Sequence, residues 1–299
     1  MPSRTSESFA QRVVRRIKWA VRDRFPLRPV RRTVQGVEMV LPWSHRLPDY
    51  ARVEPGYGQN LPRLAAALVG RDGGPITTVD IGANVGDSAL QILAAAPGKV
   101  LCVEGDEAYL TFLRMNVDTN PDVAIEPSLL LPSSGDLSMA PVRAGGTTRF
   151  EPGMSSSTLP TITVAELRSR HADFDRVRLV KSDTDGYDVS LVPAVADTWA
   201  DTKPVLFFEY DHRLTRLAGL DPVPVWSDLA ELGYRHVRVW DNFAHPIGTY
   251  SIDEMADRSA VLDVPLKLRS YHFWDVAVVH GDDEAGLLAV RDVLPADPA

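Results

Sequence analysis

From residue 76 the chain alternates between short β-rich runs and stretches with apolar residues at helical spacing. Ile76–Ile81 is predicted as a strand, Asn84–Ala96 as a helix and Lys99–Glu104 as a second strand. Glu107–Val117 has helical spacing again, and Val123–Ile125 is a weak third strand. This order is typical of a parallel sheet whose strands are joined by crossover helices. Further strands are predicted at Arg176–Lys181, Val205–Tyr210, His236–Trp240 and Phe273–Val279.

A glycine-containing loop, Asp80–Ser88, follows the first of these strands, where the chain turns from strand to helix. In open parallel sheets ligands bind beyond the carboxyl ends of the strands, and glycines let the backbone turn sharply and approach them. The loop lacks the glycine pattern of a dinucleotide site, and Asp80 and Asp87 would repel a pyrophosphate. A ligand with an ammonium and a sulfonium group fits better, which points to S-adenosylmethionine.

An acid at the end of the second predicted strand completes the candidate donor site. Glu104 follows Asp80 by 24 residues, which places its carboxylate to accept hydrogen bonds from both ribose hydroxyls. Ser134, beyond the third strand, is placed to reach the adenine edge. Two alternatives stay open: an ordinary turn beside a surface acid, and a nicotinamide site on a related sheet. The candidate donor-binding residues are Asp80, Gly82, Ala83, Asn84, Gly86, Asp87, Ser88, Glu104, Gly105 and Ser134.

Four motifs in this order, DIGANVGDSAL, VEGD, LVKSDTDGYD and FFEYD, resemble those of the FkbM family of class I methyltransferases. The resemblance covers roughly residues 76–280. It implies a Rossmann-like α/β sheet of seven strands with helices on both faces and a reversed last strand, Phe273–Val279. It also implies O-methylation of sugar hydroxyls or of polyketide-type natural products. The family pattern Lys-x-Asp-x-Glu-Gly-x-Glu matches Lys181–Asp188, except that aspartate stands at both glutamate positions.

Acidic residues gather at the ends of the two strands that follow this donor region. Methyl transfer to an alcohol needs an aligned acceptor and a group that removes its proton. His212 is the natural base because its unperturbed pKa lies near neutrality, and Asp183 is the alternative. The candidate catalytic residues are Lys181, Asp183, Glu209 and His212. Asp183, Asp185 and Glu209 would suit a Mg²⁺ ion, although Mg²⁺ is not expected, and Asp188 is expected to cap a helix.

Other aromatic and histidine side chains are candidates for the wall of an acceptor cleft or, equally, for the core. The aromatic residues are Trp43, Tyr50, Tyr57, Trp240 and Phe243, and the histidines are His45, His245 and His272. The Ser-rich loop Gly153–Ser157 is expected to shape or close the acceptor site.

Charge is unevenly distributed along the chain. Residues 1–35 hold ten of the 32 basic residues and two acids, a net charge of +8, whereas the whole chain carries −8. Apolar residues lie among these basic residues at helical spacing, as in segments that contact an anionic membrane, an acidic partner, the protein's own acidic body or a second copy in a homodimer. An arm that contacts nucleic acid is the remaining alternative. The overall charge argues against a general nucleic-acid binder.

The remaining features bound the architecture. The single cysteine, Cys102, excludes an intrachain disulfide and a cysteine-only zinc site. No transmembrane or signal segment is recognised, so a cytoplasmic protein, peripheral to a membrane at most, is expected. Four regions are predicted: a basic arm (1–35), a strand and helix extension (36–75) with a strand at Val37–Leu41, a methyltransferase domain (76–283) and a frayed tail (284–299).

Overall fold

A computed structural model describes residues 24–134, 139–144, 147–152, 160–265 and 272–293. Eight strands of this part form one mixed, mostly parallel sheet, in the order β13-β12-β14-β11-β10-β3-β4-β5. These strands are β3 (Ile76–Ile81), β4 (Gly98–Val103), β5 (Val123–Glu126), β10 (Leu179–Ser182), β11 (Val205–Tyr210), β12 (Tyr234–Asp241), β13 (Pro246–Ser251) and β14 (Trp274–His280). The remaining strands are β1 (Pro29–Val34), β2 (Val37–Pro42), β6 (Leu129–Leu131), β7 (Met139–Ala144), β8 (Thr147–Pro152) and β9 (Thr161–Thr163).

The predicted parallel core and reversed strand are confirmed. Strands β11, β10, β3, β4 and β5 run parallel, and β14 pairs with β11 in antiparallel register. The predicted count of seven strands is one too low, because β13 adds an antiparallel edge strand to β12. The central strands are buried along most of their length because helices cover both faces of the sheet.

The helices are α1 (Leu47–Val53), α2 (Asn60–Asp72), α3 (Asp87–Ala95), α4 (Glu107–Val117), α5 (Val164–Arg170), α6 (Asp188–Thr198), α7 (His212–Leu217), α8 (Val225–Glu231), α9 (Met255–Ser259) and α10 (Glu284–Asp292). One face of the sheet buries apolar side chains of α2, α3, α4 and α10. The other face buries those of α5, α6 and α8. The two cores hold the strand ends, and therefore the loops that follow them, in fixed positions.

An N-terminal hairpin lies beside this sheet. Strands β1 and β2 pair antiparallel, in agreement with the strand predicted at Val37–Leu41. Met39 and Leu41 are buried in a small cluster with Tyr109 and Phe112 of α4. Asn116 of α4 also bonds the backbone of β2, since its amide donates to the Val40 carbonyl over 3.0 Å. The hairpin is thus attached to the crossover helix between β4 and β5.

Several local expectations were wrong. The tail was expected to be frayed, but Glu284–Asp292 forms α10, with Ala289 and Val290 buried against the sheet. Strands β7 and β8 pair antiparallel with each other in a two-stranded sheet of their own. Helix α7 and strand β13 were not predicted. No helix of the described residues is long and apolar enough to cross a membrane. Residues 1–23 of the basic arm and the Gly153–Ser157 loop lie outside the described residues.

Candidate active site

Two cavities open side by side at the carboxyl ends of the parallel strands. One, of about 340 Å³, lies over the ends of β3, β4 and β5 and is called the donor cavity here. The other, of about 370 Å³, lies between the ends of β3, β10, β11 and β14 and residues of the N-terminal extension, and is called the acceptor cavity. Gly82, Asn84 and Asp183 line both cavities. A ligand in one cavity therefore meets a ligand in the other at these three residues.

Three amides of the β3–α3 loop are already bonded within the protein. The N–H groups of Gly82 and Ala83 both donate to the Val103 carbonyl, over 3.0 and 3.1 Å. The Asn84 N–H donates to Oε2 of Glu104 over 2.8 Å. These three N–H groups, which precede α3, are therefore not available to a pyrophosphate bound at this loop.

The loop glycines are required by the protein's own packing. Gly82 has a φ of +70°, and a Cβ there would lie 2.0 Å from the Asp183 carbonyl oxygen. Gly86 has a φ of +84°, and its Cβ would lie 2.7 Å from the Leu113 side chain of α4. These glycines let the loop pass close to β10 and α4. Gly82 also lines both cavities.

Glu104 ties the loop to the end of β4. Besides Asn84 N–H, its carboxylate accepts the Asp106 N–H through Oε1, over 2.7 Å. The side chain is buried and lines the donor cavity. Burial raises the pKa of Glu104 to about 7, although the two backbone hydrogen bonds oppose that shift. Each carboxylate oxygen still has a lone pair with which to accept a ligand hydroxyl.

The predicted donor residues separate into four groups. Gly82, Asn84, Glu104 and Gly105 line the donor cavity, whereas Asp87 and Ser88 line the acceptor cavity. Asp80, Ala83 and Gly86 are buried and line neither cavity. Ser134 is exposed and lies outside the lining of both cavities, so its predicted place at the adenine edge was wrong.

Residues that sequence reasoning missed complete the donor cavity. Ser128, directly after β5, is buried against it, and Leu129–Pro132 form an apolar wall. Tyr187 and Leu191 approach from the start of α6. The spacing from β5 to this apolar run was visible in the sequence and could have indicated Ser128 rather than Ser134.

Lys181 supports the loop from below. Its Nζ lies 3.0 Å from Asp80 Oδ1 and donates to the Gly82 carbonyl over 2.8 Å. Asp183 Oδ2 lies farther away, at 3.9 Å. Burial alone would lower the pKa of Lys181, but the charges of Asp80 and Asp183 outweigh burial and raise it. A charged lysine therefore neutralises a buried carboxylate and holds the loop carbonyl.

Three carboxyl groups line the acceptor cavity near the junction. Asp183 follows β10, with 51% of its side chain exposed. Glu209 and Asp275 stand opposite each other on β11 and β14. Burial, followed by the charge of Asp183, raises the pKa of Glu209 well above its usual range. Burial raises the pKa of Asp275 to about 7, and Asn60 donates to its Oδ2 over 2.8 Å.

His212 does not reach either cavity, which contradicts its predicted role as the base. It is 1% exposed, at the start of α7. Its Nδ1 is 2.8 Å from Asp263 Oδ1 and its Nε2 is 3.0 Å from the Tyr210 hydroxyl. The chain turns into a helix after β11, and this turn directs the imidazole away from the strand ends. His212 is a buried structural residue.

The predicted metal set was also wrong. No three His, Cys, Asp or Glu side chains in the described part of the chain are arranged to hold a metal ion, Asp183, Asp185 and Glu209 included. Asp188 is the first residue of α6 and does not cap it, so the predicted helix cap was wrong. Its Oδ1 accepts the Ser182 hydroxyl over 2.6 Å and the Thr184 N–H over 3.1 Å.

The aromatic and histidine candidates divide between the wall of the acceptor cavity and positions outside both cavities. Tyr50 and Tyr57, with ring centroids 5.3 Å apart, line the acceptor cavity together with His45. Burial, with the charges of Glu209 and Asp275, raises the pKa of Tyr57. The candidates outside the lining of both cavities are the buried Trp240, Trp43 beside Arg28, Phe243, His245 bonded to Asp241, and His272 bonded to the Val261 carbonyl.

No family model and no curated protein matches the chain. Among solved structures, it is similar to precorrin-6y C5,15-methyltransferase from Geobacter metallireducens (12% identity, TM-score 0.35, over 69% of this chain and 81% of that one). It is also similar to methyltransferase FkbM from Methylobacillus flagellatus (14%, 0.34, over 67% and 43%) and to the fibrillarin pre-rRNA processing protein from Methanococcus jannaschii (12%, 0.34, over 70% and 68%). At these identities and TM-scores, donor, acceptor and family follow from none of them. The fold rests on the sheet order, and the FkbM resemblance stays a prediction from the motifs.

Proposed function

We propose that the protein is an S-adenosylmethionine-dependent methyltransferase that methylates a hydroxyl of a sugar or of a polyketide-type small molecule. The observation that carries the proposal is the pair of cavities that meet at Gly82, Asn84 and Asp183. A methyl donor in one cavity and an alcohol in the other would react at that junction. In-line transfer requires such adjacency, and holding both reactants is itself a large part of the rate enhancement.

The donor cavity favours S-adenosylmethionine over a dinucleotide. The loop amides are used by Val103 and Glu104, so a pyrophosphate would find no donors among them. The Glu104 carboxylate presents acceptors for the two ribose hydroxyls. Asp183 at the junction favours the cationic sulfonium and would repel a phosphate.

The acceptor cavity contains groups that can remove the proton of an alcohol. With His212 excluded by its position, the bases that line the cavity are carboxyl groups and His45. Of the predicted catalytic residues, Lys181, Asp183 and Glu209 line the cavity, and the two carboxyl groups among them can act as bases. Burial raises the pKa of the Glu209 carboxyl group, so its ionised form is a stronger base than an ordinary carboxylate. Lys181 acts as a positioning residue because it holds Asp80 and the Gly82 carbonyl.

The test is a calorimetric titration of the whole protein with S-adenosylhomocysteine and, in parallel, with NAD⁺. We expect micromolar binding of S-adenosylhomocysteine and none of NAD⁺. Incubation with S-adenosylmethionine and a panel of sugars and polyketide-type alcohols then reports methylation by mass spectrometry. Binding of NAD⁺ in place of S-adenosylhomocysteine would refute the assigned donor, and donor binding without methylation of any alcohol would favour a non-catalytic binding module.

The basic arm is proposed to contact an anionic membrane surface. In its described part, Phe25 is 57% exposed and the side chain of Arg31 is 77% exposed. Exposed apolar and basic residues together suit a surface of anionic lipid. Sedimentation with phosphatidylserine-containing vesicles should retain the full chain and release a form lacking residues 1–23, which keeps β1 intact. Equal retention of both forms would contradict this part of the proposal.

A further inference from the structure

A cluster of charged and polar groups surrounds the buried Glu126 at the end of β5, beside the donor cavity. Glu126, 2% exposed, accepts the Ser128 hydroxyl over 2.6 Å through Oε1. Arg170 donates to both carboxylate oxygens over 3.0 Å, and His171 Nε2 lies 2.9 Å from Oε2. The methyl-transfer chemistry proposed above uses none of these residues.

The charge of Glu126 decides how Ser128 is oriented. Burial alone would raise the pKa of Glu126, but hydrogen bonds from Ser128 and His171 and the charge of Arg170 outweigh it and lower the pKa. The carboxylate is therefore ionised at neutral pH and acts only as an acceptor. A serine hydroxyl has a single proton, which Ser128 donates to Glu126. The Ser128 oxygen is left with lone pairs alone, so it can accept a hydrogen bond but cannot donate one.

Ser128 lies where the base of the donor would be. The Glu104 N–H donates to the Glu126 carbonyl over 3.1 Å, so the ends of β4 and β5 are adjacent. A ribose held by Glu104 places its base toward β5. The wall there is apolar, from Leu129–Pro132 on one side to Leu191 on the other, as suits the faces of a flat ring. Ser128, 5% exposed, supplies a polar atom at its edge.

We propose that Ser128 selects adenine in the donor. Its oxygen accepts a hydrogen bond from the 6-amino group. Because Glu126 holds the serine proton, Ser128 cannot donate a hydrogen bond to a base that has a carbonyl at that position, and such a base is rejected. The inference rests on the proposed donor and adds a base-selecting residue to it. A site that binds an amino group through a fixed acceptor rejects an analogue in which an oxygen replaces that group, because two acceptors then face each other.

The experiment compares S-adenosylhomocysteine with S-inosylhomocysteine, its 6-oxo analogue, by calorimetry on the whole protein. The unmodified protein should bind the adenosyl compound at least about tenfold more tightly, as expected for a buried acceptor left unpaired. Ser128→Ala should reduce this preference to within about threefold, through weaker binding of the adenosyl compound. Ser128→Thr keeps the hydroxyl and should keep the preference.

Two further variants separate base selection from a general effect on the fold. Ser190 also lines the donor cavity, and its hydroxyl donates to the Tyr187 carbonyl over 2.9 Å, so Ser190→Ala is the matched control. It should leave the preference unchanged. Glu126→Gln removes the obligatory acceptor and lets the Ser128 proton turn toward the ligand. It should strengthen binding of the inosyl compound, which a merely structural role of Glu126 would not do.

The outcomes separate this inference from the proposed donor. If the unmodified protein binds S-adenosylhomocysteine and S-inosylhomocysteine equally, Ser128 does not select the base, whatever the variants show. Loss of the preference in Ser190→Ala, with Ser128→Ala unaffected, would move the role to α6 and also overturn the inference. If neither compound binds the unmodified protein, the proposed donor is refuted, and the base selection with it.

Discussion

The carboxyl group of Glu104 should make donor binding depend on pH. Its pKa in the folded protein is raised to about 7 by burial, against 4.5 for an ordinary glutamate. Ribose hydroxyls donate hydrogen bonds, so they bind the ionised form. The apparent affinity then follows the ionised fraction, which is about 0.1 at pH 6 and about 0.9 at pH 8. We expect S-adenosylhomocysteine to bind about tenfold more tightly at pH 8 than at pH 6.

Glu104→Gln should remove this dependence. The glutamine has no titratable group, and one of the two loop amides, from Asn84 or Asp106, meets an NH₂ group in place of an oxygen. At pH 8 the donor should bind about 10–100-fold more weakly, because hydrogen bonds to a charged acceptor are worth about 1.5–3 kcal/mol. Asp275→Asn is the matched control. That residue also has a pKa raised to about 7, but it lies in the acceptor cavity, so its variant should keep the tenfold dependence.

Calorimetry at pH 6, 7 and 8 measures both effects. The reasoning is wrong if the unmodified protein binds equally at the three pH values, or if the dependence survives in Glu104→Gln. Stability supplies a second readout with the opposite sign. Because the folded pKa of Glu104 is raised, ionisation costs more in the folded state than in the unfolded chain. Its contribution to the free energy of unfolding therefore falls by about 3 kcal/mol as pH rises from 4.5 through 7, and Glu104→Gln should lack this fall.

Three other predictions concern residues around the loop. Gly82→Ala should destabilise the fold by at least about 2 kcal/mol more than Gly73→Ala in chemical denaturation, because both glycines have positive φ but only Gly82 would contact backbone. Equal losses would mean that the contact with Asp183 is relieved at no cost. His212→Gln should lower the free energy of unfolding by about 1–3 kcal/mol and leave donor affinity, measured by calorimetry, within twofold. A large loss of donor affinity would mean that His212 belongs to the binding site after all. Lys181→Met should cost about 3–5 kcal/mol in the same denaturation assay, since it leaves a buried carboxylate unpaired, and an unchanged midpoint would contradict that role.

The parts of the fold that could be predicted from the sequence are those whose pattern is local. Ile76–Ile81 is a β-rich run and Val205–Tyr210 is a mostly apolar one, and the structure has both strands, buried between helices, with the predicted bounds. Helix α10 was missed because the acidic residues and prolines around it resemble those of a frayed tail. Its apolar residues pack against the sheet, and the local sequence does not show that contact.

The site could be predicted only where the responsible residue ends a strand. Glu104 lies at such a position, and the structure places it in the donor cavity. Asp275 was missed because it depends on pairing between β14 and β11 and on Asn60, 215 residues away in the sequence. His212 was misjudged for a related reason. His212 follows β11 closely in sequence, but the chain turns between them, and the imidazole hydrogen-bonds with Asp263 away from the cavities.

The glycine loop shows which part of such a motif carries information about the ligand. Gly82 and Gly86 are required because a side chain would strike β10 or α4, whatever ligand the loop faces. The glycines therefore indicate that the loop packs closely against β10 and α4. The hydrogen bonds of the loop amides say more about the ligand. Amides that donate to Val103 and Glu104 are not available to bind a phosphate. The Glu104 carboxylate bonds the loop and is proposed to bind a ligand hydroxyl, so it links donor binding to loop geometry. Variants of Glu104 therefore test the proposed donor site more directly than variants of the glycines.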